Sequence, residues 1–324
     1  GLVNKALDVG YKFIIILAGR ANNLRSQTQI RIDQDVIGID TEQKLLNRKV
    51  YIGVGNHHDP ALQSLNVNFA TTTLNDFNRA SAINLGLTDP GGVGFIIVIK
   101  KNVSILRNAL NFIQQNWSKQ DSPIIAPASG TNNDTELKLI DVCPLLLIDD
   151  EADDSSIDTR DGVIDDNDDN PDPEHEPTQT NAYIRRILHS FKQSCYIGYT
   201  ATPYANAFIH HRGHSPENGD DLFPRDFIVS LPRPENYIGP DTLFPINHNP
   251  NHKSLIININ DNLDDDKLNN RIGWMPPRHR TSHTPRYKND YDSIPPSLKH
   301  AIHAFLISAA GARVRRKEQM HNTM

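Results

Sequence analysis

The segment Leu145-Leu146-Leu147-Ile148-Asp149-Asp150-Glu151-Ala152-Asp153 decides the fold predicted for this chain. Its first four residues are branched and apolar with no polar residue between them, a pattern typical of a strand covered on both faces of a parallel sheet. Carboxylates follow directly, and the carboxyl ends of parallel strands form the edge where open α/β sheets bind ligands. The segment therefore predicts a buried strand that delivers acidic side chains to a ligand-binding edge.

The acidic pair Asp150 and Glu151 fits a phosphoryl-transfer site. In such sites one carboxylate holds Mg²⁺ through water, and another orients or deprotonates the attacking water. We assign Asp150 to the metal and Glu151 to the water. The alternative is a strand that simply runs into an acidic, solvated loop, because residues 153–172 are mostly Asp, Asn, Ser and Pro.

A second motif, Thr200-Ala201-Thr202-Pro203, follows another short β-prone segment that begins at Cys195. Taken alone, it fits an ordinary exit from a strand into a loop. In the order Asp-Glu-Ala-Asp and then Thr-Ala-Thr, the two motifs resemble those of superfamily-two helicases and translocases. That resemblance implies that Thr200 and Thr202 bond to Asp153 and thereby link hydrolysis to movement on nucleic acid.

Several segments together resemble the Z-one domain family, which carries an endonuclease label. The segments are Ala18–Gln29, the acidic strand, Gly198–Asn206, Phe223–Asp226 and Asn236–Pro240. The resemblance implies a RecA-like, P-loop NTPase-type parallel sheet with an irregular insertion, within a DNA restriction, repair or phage-defence protein. It also implies ATP and Mg²⁺ as cofactors, DNA as a partner, and ATPase or nuclease subunits as further partners.

The phosphate-binding pattern Gly-x-x-x-x-Gly-Lys-Ser/Thr does not occur in the sequence. Gly91-Gly92-Val93-Gly94 lacks the lysine and precedes a strand, whereas a phosphate-binding loop leads into a helix. Leu2 to Leu7 has helical spacing and Tyr11 to Leu17 is a β-prone run. The resemblance implies that the phosphate loop precedes this helix and that a second ATPase domain with an arginine finger follows the chain. We therefore expect a fragment with little turnover by itself; a degenerate ATPase is the alternative.

Six polar side chains are predicted to bind the phosphates of a nucleic acid. They are Arg20, Asn23, Arg25, Gln27, Lys100 and Lys101. The first four follow a predicted core strand, and the two lysines follow the strand Phe95 to Ile99. Their donors suit a grip on the sugar–phosphate backbone without base recognition. A polar helix surface and a solvated strand end are the alternative interpretations.

Three regions are predicted along the chain. Residues 1–208 form the ATPase domain, including a mobile acidic loop at 153–180 that is too polar to bury a core. Residues 209–296, rich in Pro, His and Asn, form an insertion or subdomain. Residues 297–324 begin a C-terminal helix, for which Ser297 is the predicted cap.

Composition excludes some classes of protein. With 324 residues and a formal net charge of −6, the chain is not a uniformly basic DNA-coating protein, although a local basic groove is compatible with that charge. The longest apolar run, Phe13 to Ala18, is far too short to span a bilayer, and no signal peptide is apparent. We therefore predict a cytoplasmic protein with no membrane partner and with two reduced thiols, Cys143 and Cys195.

Two other functions remain open at this point. A metal-dependent DNA endonuclease of the restriction type needs an Asp and a Glu-x-Lys, and Glu136-Leu137-Lys138 has that residue order without an evident partner. A non-catalytic nucleic-acid-binding module could retain the fold without its chemistry. His57-His58-Asp59 lacks a partner cluster with metal-ligand spacing, so we interpret these residues as an exposed loop.

Overall fold

The structure is a computed structural model, and it describes the chain in several stretches. These are residues 1–57, 67–87, 93–126, 136–158, 178–209, 213–215, 217–235, 237–240, 280–285 and 294–316, with residues 259, 261, 274 and 287. The chain divides into two compact units, Gly1–Val229 and Ser230–Met324. The candidate site lies entirely in the first unit.

Nine strands are present in the described residues. They are β1 (Phe13–Ala18), β2 (Val67–Phe69), β3 (Gly94–Ile99), β4 (Ile124–Ala126), β5 (Leu137–Lys138), β6 (Leu145–Asp150), β7 (Ser194–Tyr199), β8 (His214–Ser215) and β9 (Gly219–Asp220). Five of them form one parallel sheet in the order β2-β3-β1-β6-β7. The predicted α/β class with a parallel sheet is therefore confirmed.

The described residues also form eight α-helices. They are α1 (Leu2–Asp8), α2 (Asn22–Ile32), α3 (Thr41–Leu45), α4 (Arg79–Asn84), α5 (Val103–Asn116), α6 (Gln179–His189), α7 (Tyr204–Ala207) and α8 (Pro296–Arg316). A π-helical turn at Asp33–Ile37 continues α2, and a 3₁₀ turn lies at Gly53–Asn56. Among these elements, α8 belongs to the second unit and the others to the first.

Both faces of the central strands are covered because successive side chains of a strand point to opposite faces. In β1, Phe13, Ile15 and Leu17 join one hydrophobic cluster. Ile14 and Ile16 join a second cluster on the other face. Every residue of β1 is buried, which explains why the strand reads as a continuous apolar run.

Helices α5 and α6 pack on the face of Phe13. Leu106, Leu110 and Ile113 of α5 share this cluster at helical spacing of three and four residues, and Ile184 and Ile187 of α6 join them. On the opposite face, α1 and the π-helical turn contribute buried residues to the second cluster. The first unit is thus a three-layer α/β structure with β1 at the centre of the sheet.

The first unit extends beyond the domain boundary predicted at residue 208. The hairpin β8–β9 packs on α6, where Arg185 Nη2 donates to the Gly219 carbonyl at 2.6 Å. Asn181 Nδ2 donates to Asp221 Oδ1 at 3.1 Å, and Leu222 is buried in the main cluster. This part of the predicted insertion therefore belongs to the fold of the sheet.

In the second unit, the start of α8 differs from the sequence prediction. The helix begins at Pro296, so Ser297 lies within its first turn. The Ser297 amide and hydroxyl donate to the two carboxylate oxygens of Asp261 at 2.8 and 2.6 Å. Asp261, distant in sequence, thus accepts the bonds that a local cap would have accepted.

Among the described residues, none of the helices is long and apolar enough to cross a membrane.

Candidate functional site at the carboxyl edge of the sheet

Four strands of the parallel sheet end at one edge and bring the predicted motifs together. The strand register places Ala18 beside Asp150, and Asp150 beside Tyr199. The Lys101 amide donates to the Gly19 carbonyl at 2.8 Å, which joins the loops after β1 and β3. The acidic motif, the Thr-Ala-Thr motif and the two lysines therefore meet at this edge.

The three consecutive acidic residues of this edge have different surroundings. Asp149 is completely buried, whereas Asp150 and Glu151 are exposed. Alternation along β6 turns Asp149 inward and Asp150 outward. Glu151 follows with φ of 56°, a left-handed conformation that few residues other than glycine adopt. The two carboxylates predicted to be catalytic are thus both accessible to a ligand.

The hydrogen bonds of Asp153 connect the two sequence motifs. Thr200 Oγ1 donates to Asp153 Oδ1 at 2.6 Å, and the Thr202 hydroxyl donates to Asp153 Oδ2. These two bonds hold the pKa of the Asp153 carboxyl below its ordinary value. The contact that the helicase resemblance implies is therefore present, although its role in coupling stays a prediction.

Backbone contacts reinforce the connection between β6 and β7. The Ala152 amide donates to the Tyr199 carbonyl at 2.9 Å, and Asn206 Nδ2 donates to the Ala152 carbonyl at 3.1 Å. A Cβ at Gly198 would lie only 2.9 Å from the Ala152 methyl group. Glycine at position 198 therefore allows the acidic turn to pack closely on β7.

Lys101 does not reach the surface. Its ammonium lies 2.8 Å from Asp149 Oδ1, and both side chains are fully buried. The same ammonium donates to the carbonyls of Glu151 and Asp154. Tyr196 completes the network by donating its hydroxyl to Asp149 Oδ2 at 2.7 Å. Burial, followed by the neighbouring Asp149 carboxylate, raises the pKa of Tyr196.

Arg25 is also an internal residue. Its guanidinium donates to the carbonyls of Thr72 and Thr73 at 2.8 and 2.7 Å, and the residue is only 2% exposed. Burial lowers the pKa of Arg25, and the nearby carboxylate of Asp76 opposes that effect. The prediction of nucleic-acid contacts therefore does not hold for Arg25 and Lys101, because internal partners occupy their charged groups.

Gln29, one helical turn after Arg25 on α2, is part of a second set of buried polar contacts. Gln29 accepts from the Thr71 hydroxyl and donates to Asp33, each at 2.8 Å. Thr41 donates its hydroxyl to the same Asp33 carboxylate at 2.7 Å. Burial is the largest influence on Asp33 and raises the pKa of its carboxyl. The polar residues of α2 thus anchor the loop after β2 to the π-helical turn.

The other predicted nucleic-acid contacts lie at or near the surface. Arg20 is exposed, yet its Nε donates to Ser155 Oγ at 2.5 Å and lies 3.7 Å from Asp154 Oδ1. Asn23 and Gln27 are exposed on α2. Lys100 is partly buried, with its ammonium 4.0 Å from Asp76 Oδ2. These four remain predictions as ligands of a nucleic acid.

Comparisons of the chain with protein-family models, with curated proteins and with solved structures find no match. The case for a function therefore rests on the geometry of the site together with the sequence motifs.

Lys138, from the Glu-x-Lys order of the alternative nuclease function, is not at this edge. Lys138 lies on β5, which pairs with β4 in a separate antiparallel sheet. Its amide donates to Gln114 Oε1 at 2.8 Å. His58, Asp59 and most of the acidic loop, residues 159–177, lie outside the described residues. In the described part of the chain, no group of three or more His, Cys, Asp or Glu side chains is arranged to hold a metal ion.

Sequence reasoning missed three residues of this site. Asp149 and Tyr196 form the buried network with Lys101, and Asn206 holds the acidic turn. The alternation of β6 was a usable signal for Asp149, because neighbours on a strand face opposite sides. For Tyr196 and Asn206 there was no local signal, since their partners are distant in sequence.

Proposed function

We propose that this chain forms the ATPase core of a helicase-like, DNA-dependent translocase with a RecA-like sheet. One observation carries the proposal: Asp153 accepts hydrogen bonds from Thr200 and Thr202 beside the exposed pair Asp150 and Glu151. Motifs that resemble those of superfamily-two helicases thus meet at the ends of adjacent parallel strands. The resemblance to the Z-one domain family supports a role in DNA restriction, repair or phage defence.

The residues present fit a water-mediated Mg²⁺–ATP site. Protein sites for Mg²⁺ in phosphoryl transfer use one or two carboxylates together with waters and substrate phosphates, rather than a cage of side chains. Asp150, exposed at the carboxyl edge, would hold the ion through water, and bound Mg²⁺ would neutralise charge on the phosphates. Glu151, the next carboxylate, would accept a proton from the attacking water or orient it.

The proposed coupling follows from the shared carboxylate of Asp153. The turn that carries Glu151 and the loop that carries Thr200 and Thr202 are joined through this one side chain. A movement of either segment would change the hydrogen bonds of the other. We propose that a nucleic acid bound near the Thr-Ala-Thr loop acts on Glu151 by this route.

The edge strand β7 offers the place for a phosphate-binding loop. Every residue of β7 is half-buried or exposed, in contrast to the buried β6. Among the described strands, β7 pairs only with β6. A further parallel strand on this edge would bring its carboxyl end next to Tyr199, with only β7 between it and Asp150. We propose that the phosphate loop enters there, because the sequence itself contains none.

The test is DNA-stimulated ATP hydrolysis by the full-length protein, with Glu151→Gln as the diagnostic variant. Loss of the proton acceptor should lower kcat by about 100-fold or more while leaving ATP binding in place. Lys119→Met is the control, since the Lys119 ammonium forms an exposed ion pair with Asp141. Absence of DNA-stimulated hydrolysis in the unaltered protein would overturn the proposal, as would full activity in Glu151→Gln.

A further inference from the structure

The ammonium of Lys101 is buried and surrounded by oxygen atoms of the protein. It contacts three oxygens: Asp149 Oδ1 and the carbonyls of Glu151 and Asp154. Two of the three donors of this ammonium form hydrogen bonds to the carbonyls, and the Asp149 carboxylate is its ion-pair partner. The side chain of Lys101, just after β3, therefore contacts both the end of β6 and the turn that follows β6.

The turn held in this way is conformationally unusual. Glu151 and Ser155 have φ of 56° and 63°, values that L residues with side chains adopt infrequently. Such conformations persist only where the surroundings hold them in place, and they concentrate at functional sites. The carbonyl of Glu151 accepts from Lys101, so the contact acts on the residue whose conformation is strained.

We propose that Lys101 is a positioning residue: by binding the Glu151 and Asp154 carbonyls it sets the direction of the Glu151 carboxylate. This inference rests on the proposed function, in which the Glu151 carboxylate orients or deprotonates the attacking water. Lys101 touches neither nucleotide nor water in this account and acts through the turn. The Asp149 carboxylate balances the charge of the Lys101 ammonium, and the Tyr196 hydroxyl donates a hydrogen bond to that carboxylate.

The test must separate loss of positioning from loss of folding. Removing Lys101 alone would leave the Asp149 carboxylate buried without its counter-ion, which is strongly destabilising. The double variant Lys101→Met/Asp149→Leu replaces both charges with apolar groups of similar size, an exchange that proteins tolerate. It removes the contacts to both carbonyls while keeping the core filled.

Two readouts apply to this double variant. Hydrogen exchange of the Ala152 and Asp154 amides, which donate to Tyr199 and Glu151 carbonyls, should become about tenfold faster, while α5 is unchanged. In the full-length protein, kcat for ATP should fall toward that of Glu151→Gln, with KM changed by no more than about twofold. A purely structural role would not produce this split between kcat and KM.

Gln114→Met is the matched control, because it also removes a buried polar side chain that donates to a backbone carbonyl, that of Lys138, and leaves both carbonyl contacts of Lys101 intact. It should preserve the exchange of the turn and the value of kcat. Unchanged exchange in the double variant would overturn the positioning role, and so would faster exchange with an unchanged kcat. If the unaltered protein hydrolyses no ATP, the proposed function fails, while the exchange result still decides whether Lys101 orders the turn.

Discussion

At the residue scale, adjacent side chains of the same charge have opposite roles in this protein. Lys100 is partly exposed near Asp76, while Lys101 is buried against Asp149. Asp149 and Asp150 differ in the same way at the end of β6. For the two aspartates the reason is the alternation of side chains along β6. Lys101 instead lies in a bend after β3, where the Asn102 amide donates to the Lys100 carbonyl at 2.8 Å.

The first prediction concerns the ionisation of Asp153. Its hydrogen bonds from Thr200 and Thr202 lower its pKa, so Thr200→Ala/Thr202→Ala should raise that pKa toward the ordinary value of about 3.9. Because the folded pKa lies below the unfolded one, these bonds stabilise the fold above about pH 4 and are lost as the pH falls through the folded pKa. NMR titration of the Asp153 carboxyl carbon measures this pKa in the unaltered protein and in the double variant. Equal pKa values would contradict the hydrogen bonding described here.

At the element scale, two irregular turns that follow α2 pack closely against each other. The π-helical segment Asp33–Ile37 ends at Gly38, whose φ is 77°. The 3₁₀ turn Gly53–Asn56 packs directly against it, and the Ile52 amide donates to the Gly38 carbonyl at 3.1 Å. A Cβ at Gly55 would lie 1.7 Å from that carbonyl oxygen. The close approach of the two turns therefore requires glycine at position 55.

The second prediction follows from this close approach. Gly55→Ala should lower the free energy of unfolding by about 2 kcal/mol or more, because backbone on both sides must move to admit the methyl group. Gly86→Ala is the control in the same unit. Gly86 has φ of 72° but open space around its Cβ position, so only the conformational cost of about 1 kcal/mol applies. Urea unfolding measures the free energy of unfolding of both variants. If Gly55→Ala lost no more stability than Gly86→Ala, the close packing of the two turns would be contradicted.

At the scale of the whole molecule, the first unit includes residues beyond the Thr-Ala-Thr motif, which pack on α6 and on the main hydrophobic cluster. Arg185, buried in α6, donates to the Gly219 carbonyl, and Leu222 fills the main core cluster at 5% exposure. The compact unit accordingly extends to Val229. The composition of the chain becomes more polar after residue 208, which is why a domain boundary is predicted there. The contacts of Gly219 and Leu222 with the first 208 residues show that the compact unit continues past that position.

The third prediction compares two truncations. Residues 1–229 should unfold cooperatively, because the sheet and both hydrophobic clusters lie within them. Residues 1–208 should be less stable by about 3 kcal/mol or more, since they lose the buried Leu222 and leave Arg185 without its carbonyl partner. Thermal unfolding followed by circular dichroism measures the difference. Equal stability of the two truncations would show that the hairpin β8–β9 contributes nothing to the unit.

The sequence by itself determined the parallel α/β class, the acidic strand, and the contact between Asp153 and the two threonines. These depend on local properties: continuous apolar runs mark strands covered on both faces, and motif order carried the resemblance. Only the tertiary structure decided the strand order, the extension of the first unit to Val229, and the inward direction of Arg25 and Lys101. The physical reason is that a charged side chain is buried or exposed according to partners such as Asp149, which lies far from Lys101 along the chain and beside it only after folding.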